Sequence, residues 1–149
     1  MEFSDTDLNA MALTLWGECR GECREGQIAV AWIIRNRWQN PGWWSRQRGD
    51  GITDDTITAV CRDPWQFSCW HPSDPQSKKI QSPQTLNNPD VLALRALAAD
   101  VLAADQKSDP TDGADHYCTK SVARNTRWAR GRKPVKVIGN HQFYKIGLG

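Results

Sequence analysis

WGECRGECREGQIAVAWIIRNR, residues 16–37, joins the densest polar cluster of the chain to its longest apolar run. From Ile28 to Ile34 seven successive positions are apolar. A helix built from them is apolar on almost every side, which marks an element at the centre of a domain. A buried strand carries the same local signature. The two alanines and the polar turns at both ends select helix, expected over residues 25–37. Upstream, Ser4 followed three residues later by Asp7 reads as a helix start. Leu8, Met11, Ala12, Leu15 and Cys19 then repeat on one face, so a first helix is predicted over Asp5–Cys19, interrupted at Gly21. At about 100° per residue Glu18 falls at the edge of this apolar stripe, where its carboxylate can enter a cleft lined by apolar side chains.

Working outward, Asn40, Pro41 and Gly42 end the second helix, and residues 43–51 read as a loop. Residues 54–62 read as a short helix with Ile57 and Val60 inward. Residues 63–86 contain four prolines and little periodicity, so they are expected to form a long loop carrying Trp65, Phe67, Trp70 and His71; long irregular segments in compact domains often carry function. Asn88 caps a further helix with Pro89 at its first position. Val91, Leu94, Ala98, Val101 and Leu102 share its buried face, and it ends near Gln106. Residues 116–118 read as irregular. Residues 135–138 and 142–144 read as two short strands around Gly139-Asn140. The expected fold is α+β: a mainly helical single domain over residues 1–149, with a buried central helix and a small β-hairpin near the C-terminus.

Composition narrows the classes. A length of 149 residues suits one domain. With 39% hydrophobic and 24% charged residues the chain is not a disordered polymer, and no run of 18 apolar residues provides a membrane span. The net charge of +2 hides an asymmetry. Residues 1–115 hold all 17 acids against 11 Lys or Arg, a net −6; residues 116–149 hold eight basic residues and no acid. Either an anionic polymer or surface is drawn to the second part, or its cations bridge back to the acidic body. Five Cys is an odd number, so reduced, mostly buried thiols are the expectation. Eight Trp is a high count; some must fill the core, a surplus would fit the rim of a groove for sugars or another flat ligand, and composition alone does not separate the two. The pairs Cys19/Cys23, Cys69/His71 and His116/Cys118 do not reproduce a zinc motif, and there is no phosphate loop or dinucleotide fingerprint. No metal, cofactor or nucleic acid is expected. The first 16 residues carry acids and no basic n-region, so no signal peptide is expected.

Two polar groups carry the possible chemistry. Glu18 and Glu22 share one side if the first helix continues. Two close carboxylates split their pKa values, one staying protonated as an acid; alternatively both pair with Arg20, Arg24 or Arg35. Glu25 reads as a helix-dipole residue. The second group is His116, Tyr117, His141 and Tyr144, in which Tyr can bond a sugar hydroxyl or orient an acid. His141 is either an exposed reactive ring or a donor that holds its turn.

The segment GECRGECREGQIAVAWIIRNR, residues 17–37, resembles the opening motif of the SleB-like cell wall hydrolases, which include spore cortex-lytic enzymes and phage-encoded relatives. QFSCW at residues 66–70, His116-Tyr117 and IGNHQFY at residues 138–144 resemble further motifs in the same order. The chain departs from common members at Cys19, where Ala is frequent, at Cys23, where Pro is frequent, and at Cys118, where an aromatic is usual. The resemblance implies a lysozyme-like domain related to lytic transglycosylases, acting as a monomer on the glycan strands of bacterial peptidoglycan. Glu18 matches the family's catalytic glutamate. Glu22, Tyr117, His141 and Tyr144 would support it, with Trp70, His116, Tyr117 and Tyr144 binding the glycan. The expected reaction cuts between N-acetylmuramic acid and N-acetylglucosamine and leaves 1,6-anhydromuramic ends. The alternatives are muramidase hydrolysis with a second acid among Asp54, Asp55 and Asp63, a zinc amidase cutting the stem peptide, and a non-catalytic glycan-binding or tail-structural protein. An enzyme of this kind without an export signal is expected to wait in the cytoplasm until lysis, as a phage endolysin does, or to travel in a virion.

Overall fold

Helix α1 (Asp5–Cys19) begins at Ser4, whose hydroxyl accepts from the Asp7 backbone N–H while the Asp7 carboxylate accepts from the Ser4 N–H. This reciprocal cap satisfies two donors that the first helical turn leaves open. Met11, Ala12, Leu15 and Cys19 are buried along the predicted stripe, and Leu8 packs at its edge. The computed structural model describes residues 3–46 and 54–147, with the backbone alone for Trp43 and Arg46. The predicted 43–51 loop is therefore seen only through residue 46, as a short 3-10 turn; its remainder lies outside the described residues.

Helix α2 (Arg24–Gln39) is the central element. Ala29 to Ile34 are all buried, and each fully buried Ile or Val of this run contributes roughly 1.5–3 kcal/mol. Its C-terminal half is polar yet equally buried, so each head group must find partners. Arg35 Nη1 donates to the Val101 and Ala104 carbonyls at 2.8 and 2.6 Å. Asn36 Nδ2 donates to Asp109 Oδ2 and the Ala114 carbonyl, both at 2.9 Å. Arg37 Nε donates to the Asp115 carbonyl at 2.7 Å and its Nη1 to the Gln66 carbonyl at 3.3 Å. Three consecutive side chains thus fasten the central helix to separate loops. Around it, α1 packs against α2, α3 (Ile57–Arg62) and α5 (Pro89–Ala103).

Three local expectations need correction. Residues 63–86 are not one long loop. They contain α4 (Pro75–Gln81) and 3-10 turns at Ser68–Trp70 and Pro83–Asn87. Asp74 caps α4 with Pro75 at its first position, a start signal hidden by a seven-residue helix too short to show periodicity. Helix α5 stops at Ala103 rather than near Gln106, because Ala104 turns extended and Arg35 takes its carbonyl. Residues 116–118 are not irregular but belong to strand β1 (His116–Thr119). Beyond the short helix α6 (Lys120–Ala123) come β2 (Lys136–Ile138) and β3 (His141–Tyr144). The predicted hairpin is β2–β3, turning at Gly139, whose φ of 59° favours glycine. The sheet order is β1-β3-β2, antiparallel throughout, with His116 opposite Tyr144 and Thr119 opposite His141. The mainly helical architecture with one small sheet is as predicted; the sheet has three strands rather than two.

Candidate active site

Glu18 is the penultimate residue of α1 and lines a cleft of about 490 Å³. Gly17 brings it there. A Cβ at Gly17 would stand 2.9 Å from Cys69 Cβ and 3.0 Å from Cys69 Sγ, so only glycine lets α1 come this close to the Ser68–Trp70 turn. The Cys69 backbone N–H then faces Glu18 Oε1, with N···O 3.4 Å. Burial pushes the Glu18 carboxyl above its ordinary range; the Cys69 N–H and thiol act against this, Asp74 adds to it and the Arg37 cation opposes it. Desolvation wins because it penalises the charged form directly, while Arg37 forms no ion pair with Glu18 among the described residues.

The other walls come from five separate segments. From α2 comes Arg37, held by carbonyls as described. The 66–68 stretch supplies Gln66 and Ser68, and exposed Trp65 forms the rim. Strand β1 supplies His116 and Tyr117. Trp44 and Trp128 close the ends, each ring against His116 at 5.2 and 4.8 Å between centroids. His116 Nδ1 lies 2.9 Å from Asp115 Oδ1, and burial, only partly offset by this carboxylate, lowers its pKa. Burial and the nearby Glu18 carboxylate raise the Tyr117 phenol well above its ordinary value, so the ring presents a protonated hydroxyl at neutral pH.

Glu18, His116 and Tyr117 therefore share the cleft, whereas the other sequence-singled residues lie elsewhere. Helix α1 ends at Cys19, so Glu22 sits in the turn before α2 and does not stack on Glu18. Its Oε2 accepts from Asn140 Nδ2 at 3.1 Å, and its Oε1 lies 3.2 Å from His141 Nδ1. His141 is buried behind Tyr117, with ring centroids 5.1 Å apart. The ring is neither exposed nor part of the cleft lining; it backs the wall, tied to the α1–α2 turn. Tyr144 backs Trp128 edge-on at 5.4 Å. Trp70 is buried, donates from Nε1 to Thr14 Oγ1 at 2.9 Å and lies under Arg62; Trp65 takes the exposed position at the rim. The reading from sequence alone missed Arg37, Gln66, Ser68 and the individual roles of Trp44, Trp65 and Trp128. Arg37 had one available signal, a charge continuing a helix whose every face is buried.

Among the described residues, Glu18 is the one carboxylate lining the cleft. Asp54 and Asp63 are buried and both accept from Gln66 Nε2. The five thiols are unpaired; burial raises those of Cys19 and Cys61 to about 12, which makes them inert. Among the described residues no group of three His, Cys, Asp or Glu side chains is arranged to hold a metal ion, and no helix is long and apolar enough to cross a membrane.

The fold and site are those of a small helical domain whose aromatic cleft holds, among the described residues, one desolvated acid. The cell wall hydrolase family profile matches residues 21–144, and the chain belongs to this family. Glu18 lies just ahead of the matched stretch. The chain is 32% identical over 141 residues to a spore cortex-lytic enzyme of Halalkalibacterium halodurans, covering 95% of this chain and 35% of the relative. It is 29% identical to that of Bacillus subtilis, covering 95% and 38%. It therefore spans well under half the length of these curated relatives. Its structure is similar to the catalytic domain of the germination-specific lytic transglycosylase SleB from Bacillus anthracis. The TM-score is 0.65 at 27% identity, over 96% of this chain and 97% of that one.

Proposed function

We propose that this chain is a peptidoglycan-degrading enzyme that cuts the glycan strand between N-acetylmuramic acid and N-acetylglucosamine as a lytic transglycosylase, with Glu18 as the acid and then the base. The observation that carries this reading is that, among the described residues, Glu18 is the one carboxylate lining the cleft. Hydrolysis by the usual two-acid route needs a partner carboxylate several ångströms away to activate water or form a covalent intermediate. Here Asp54 and Asp63 are spent on Gln66 instead. An internal nucleophile removes that need. Protonated Glu18 gives its proton to the bridging oxygen as the bond to muramic acid C1 breaks, freeing the 4-hydroxyl of N-acetylglucosamine. The muramic acid C6 hydroxyl then bonds to C1 and yields its proton to the Glu18 carboxylate. No water is consumed and the acid is regenerated.

Burial raises the proton affinity of Glu18 above that of an ordinary carboxyl, the direction that general acid catalysis requires. Tyr117 stands beside it to donate to the sugar, and Trp44, Trp65 and Trp128 supply apolar faces for pyranose rings. The lytic transglycosylase named among the structural neighbours supports the same reaction. Mass spectrometry of digested peptidoglycan tests it: 1,6-anhydromuramic ends are expected, with turnover retained in excess chelator. Reducing muramic ends would mean hydrolysis, free stem peptides an amidase, and the absence of products a binding protein.

A further inference from the structure

The segment joining β1 to β2 gives the cleft Trp128, but its basic residues have no part in the reaction as described, and it holds most of the positive charge of the C-terminal part. Residues 120–136 contain seven Lys or Arg and no acid. All seven are exposed, and among the described residues none forms an ion pair. Among the described residues the cations do not bridge back to the acidic body, which favours an outside anion as the explanation of the charge asymmetry. The position of the segment identifies that anion. Trp128 lies in its middle and forms a wall of the cleft, wedged between His116 and Tyr144. Ala129 is buried in the small cluster against which Trp128 packs, and the exposed Arg127 and Arg130 flank these two residues in sequence. Arg132 is close enough for its charge to act on the His116 ring inside the cleft.

A cationic wall beside a glycan cleft meets whatever the seated strand carries. In an intact strand the sugars are neutral, because the lactyl carboxyl of each muramic acid is amide-bonded to its peptide, and the peptide bears several free carboxylates; stripping leaves only the one lactyl carboxylate. We propose that residues 120–136 form a specificity surface that receives the acidic stem peptide of the muramic acid bound in the cleft, so that the chain favours peptide-bearing over stripped strands. This rests on the glycan-strand reading above. Exposed charges steer and select more than they tighten, and a contact of this kind fades as salt shortens its range to about 8 Å at physiological ionic strength.

The test compares soluble strands with intact stems and the same strands stripped by an amidase. The readout is the ratio of kcat/KM for the two at low and high salt. The wild type should favour intact strands at low salt. A triple variant, Arg127→Gln with Arg130→Gln and Arg132→Gln, should bring the ratio down by about tenfold, toward one. The corresponding Arg→Lys triple, which keeps charge, should restore it. A wild-type ratio near one, or equal loss on both strands in the variant, overturns the proposal. Pelleting of the Glu18→Gln protein with insoluble peptidoglycan reads the surface without catalysis. Salt-sensitive binding that disappears with the stems supports it even if no glycan product ever forms, a result that would remove only the proposed reaction. Binding that instead follows the phosphate polymers of the wall, and persists on walls stripped of stems, overturns it.

Discussion

Replacing Glu18 by Gln separates a desolvated acid from an ion-paired one, because the two differ in the sign of a stability effect. The substitution keeps size and a hydrogen-bonding end but removes the proton. Loss of a positioned acid should slow turnover by about 10²–10⁴-fold. Stability should move the other way. Burial holds the folded Glu18 above its ordinary value of 4.5, so between that value and the folded one the native state binds more protons than the unfolded chain. Wild-type stability then falls as pH rises through this window, at up to about 1.4 kcal/mol for each pH unit separating the two values, and levels off above the folded value. Gln does not titrate. The stability of Glu18→Gln relative to wild type should therefore rise as pH passes through this window and then plateau.

Urea unfolding of both proteins at half-unit pH steps measures this difference directly. Contributions from the lowered Asp7 and Asp115 carboxyls and from His116 and His141 are common to both proteins and cancel. Activity on purified peptidoglycan should fall for the wild type as pH rises past the folded value, since the first step needs the protonated form. A folded Glu18→Gln protein with near-normal turnover would remove Glu18 from the mechanism. A stability difference that falls with pH would show that a cation, and not burial, governs the carboxyl.

Other perturbations test the scaffold around this acid. Gly17→Ala would press a methyl into Cys69; it should destabilise by about 1–3 kcal/mol and reduce turnover beyond the unfolded fraction, measured by denaturant titration beside kinetics. Tyr117→Phe should lower turnover while circular dichroism and the unfolding midpoint change little, since the ring keeps its place against His141 and Phe143. Ile33→Asp places an unpaired charge at a fully buried position and should cost more than about 4 kcal/mol, visible as loss of a cooperative thermal transition.

The helical frame was legible because its signals are local. The Ser4 cap, the stripe from Leu8 to Cys19 and the seven-residue apolar run of α2 each fix an element without reference to the rest of the chain. The Asp74-Pro75 start of α4 and the pairing of β1 were not legible, the first because seven residues show no period and the second because β1 is defined by its register with β3. The site divides in the same way. Glu18 could be singled out by its place on one helix. Its neighbours come from α2, the 65–68 stretch, β1 and the loop around Trp128, and no spacing in the sequence links these. Trp65 and Trp70 differ in role by a single geometric fact: Trp70 finds Thr14 inside the core and Trp65 finds solvent.

The most consequential arrangement near Glu18 is the one that keeps a cation from pairing with it. Arg37 is buried in the same cleft, and a direct salt bridge would have lowered the carboxyl and fixed it as a carboxylate. Instead the guanidinium is committed to two carbonyls, of Asp115 and Gln66. Neutral acceptors satisfy its donors without consuming its charge, so it acts on Glu18 only from a distance. Glu18 meanwhile sits at the negative end of α1, where the helix dipole further disfavours a second negative charge. The fold thereby holds a carboxyl whose proton affinity desolvation raises, together with a nearby cation that favours its ionised form from a distance. The proposed reaction, in which Glu18 would surrender a proton and then recover one within the same cleft, calls for this balance, and a tight ion pair or a fully apolar pocket would each abolish one half of it.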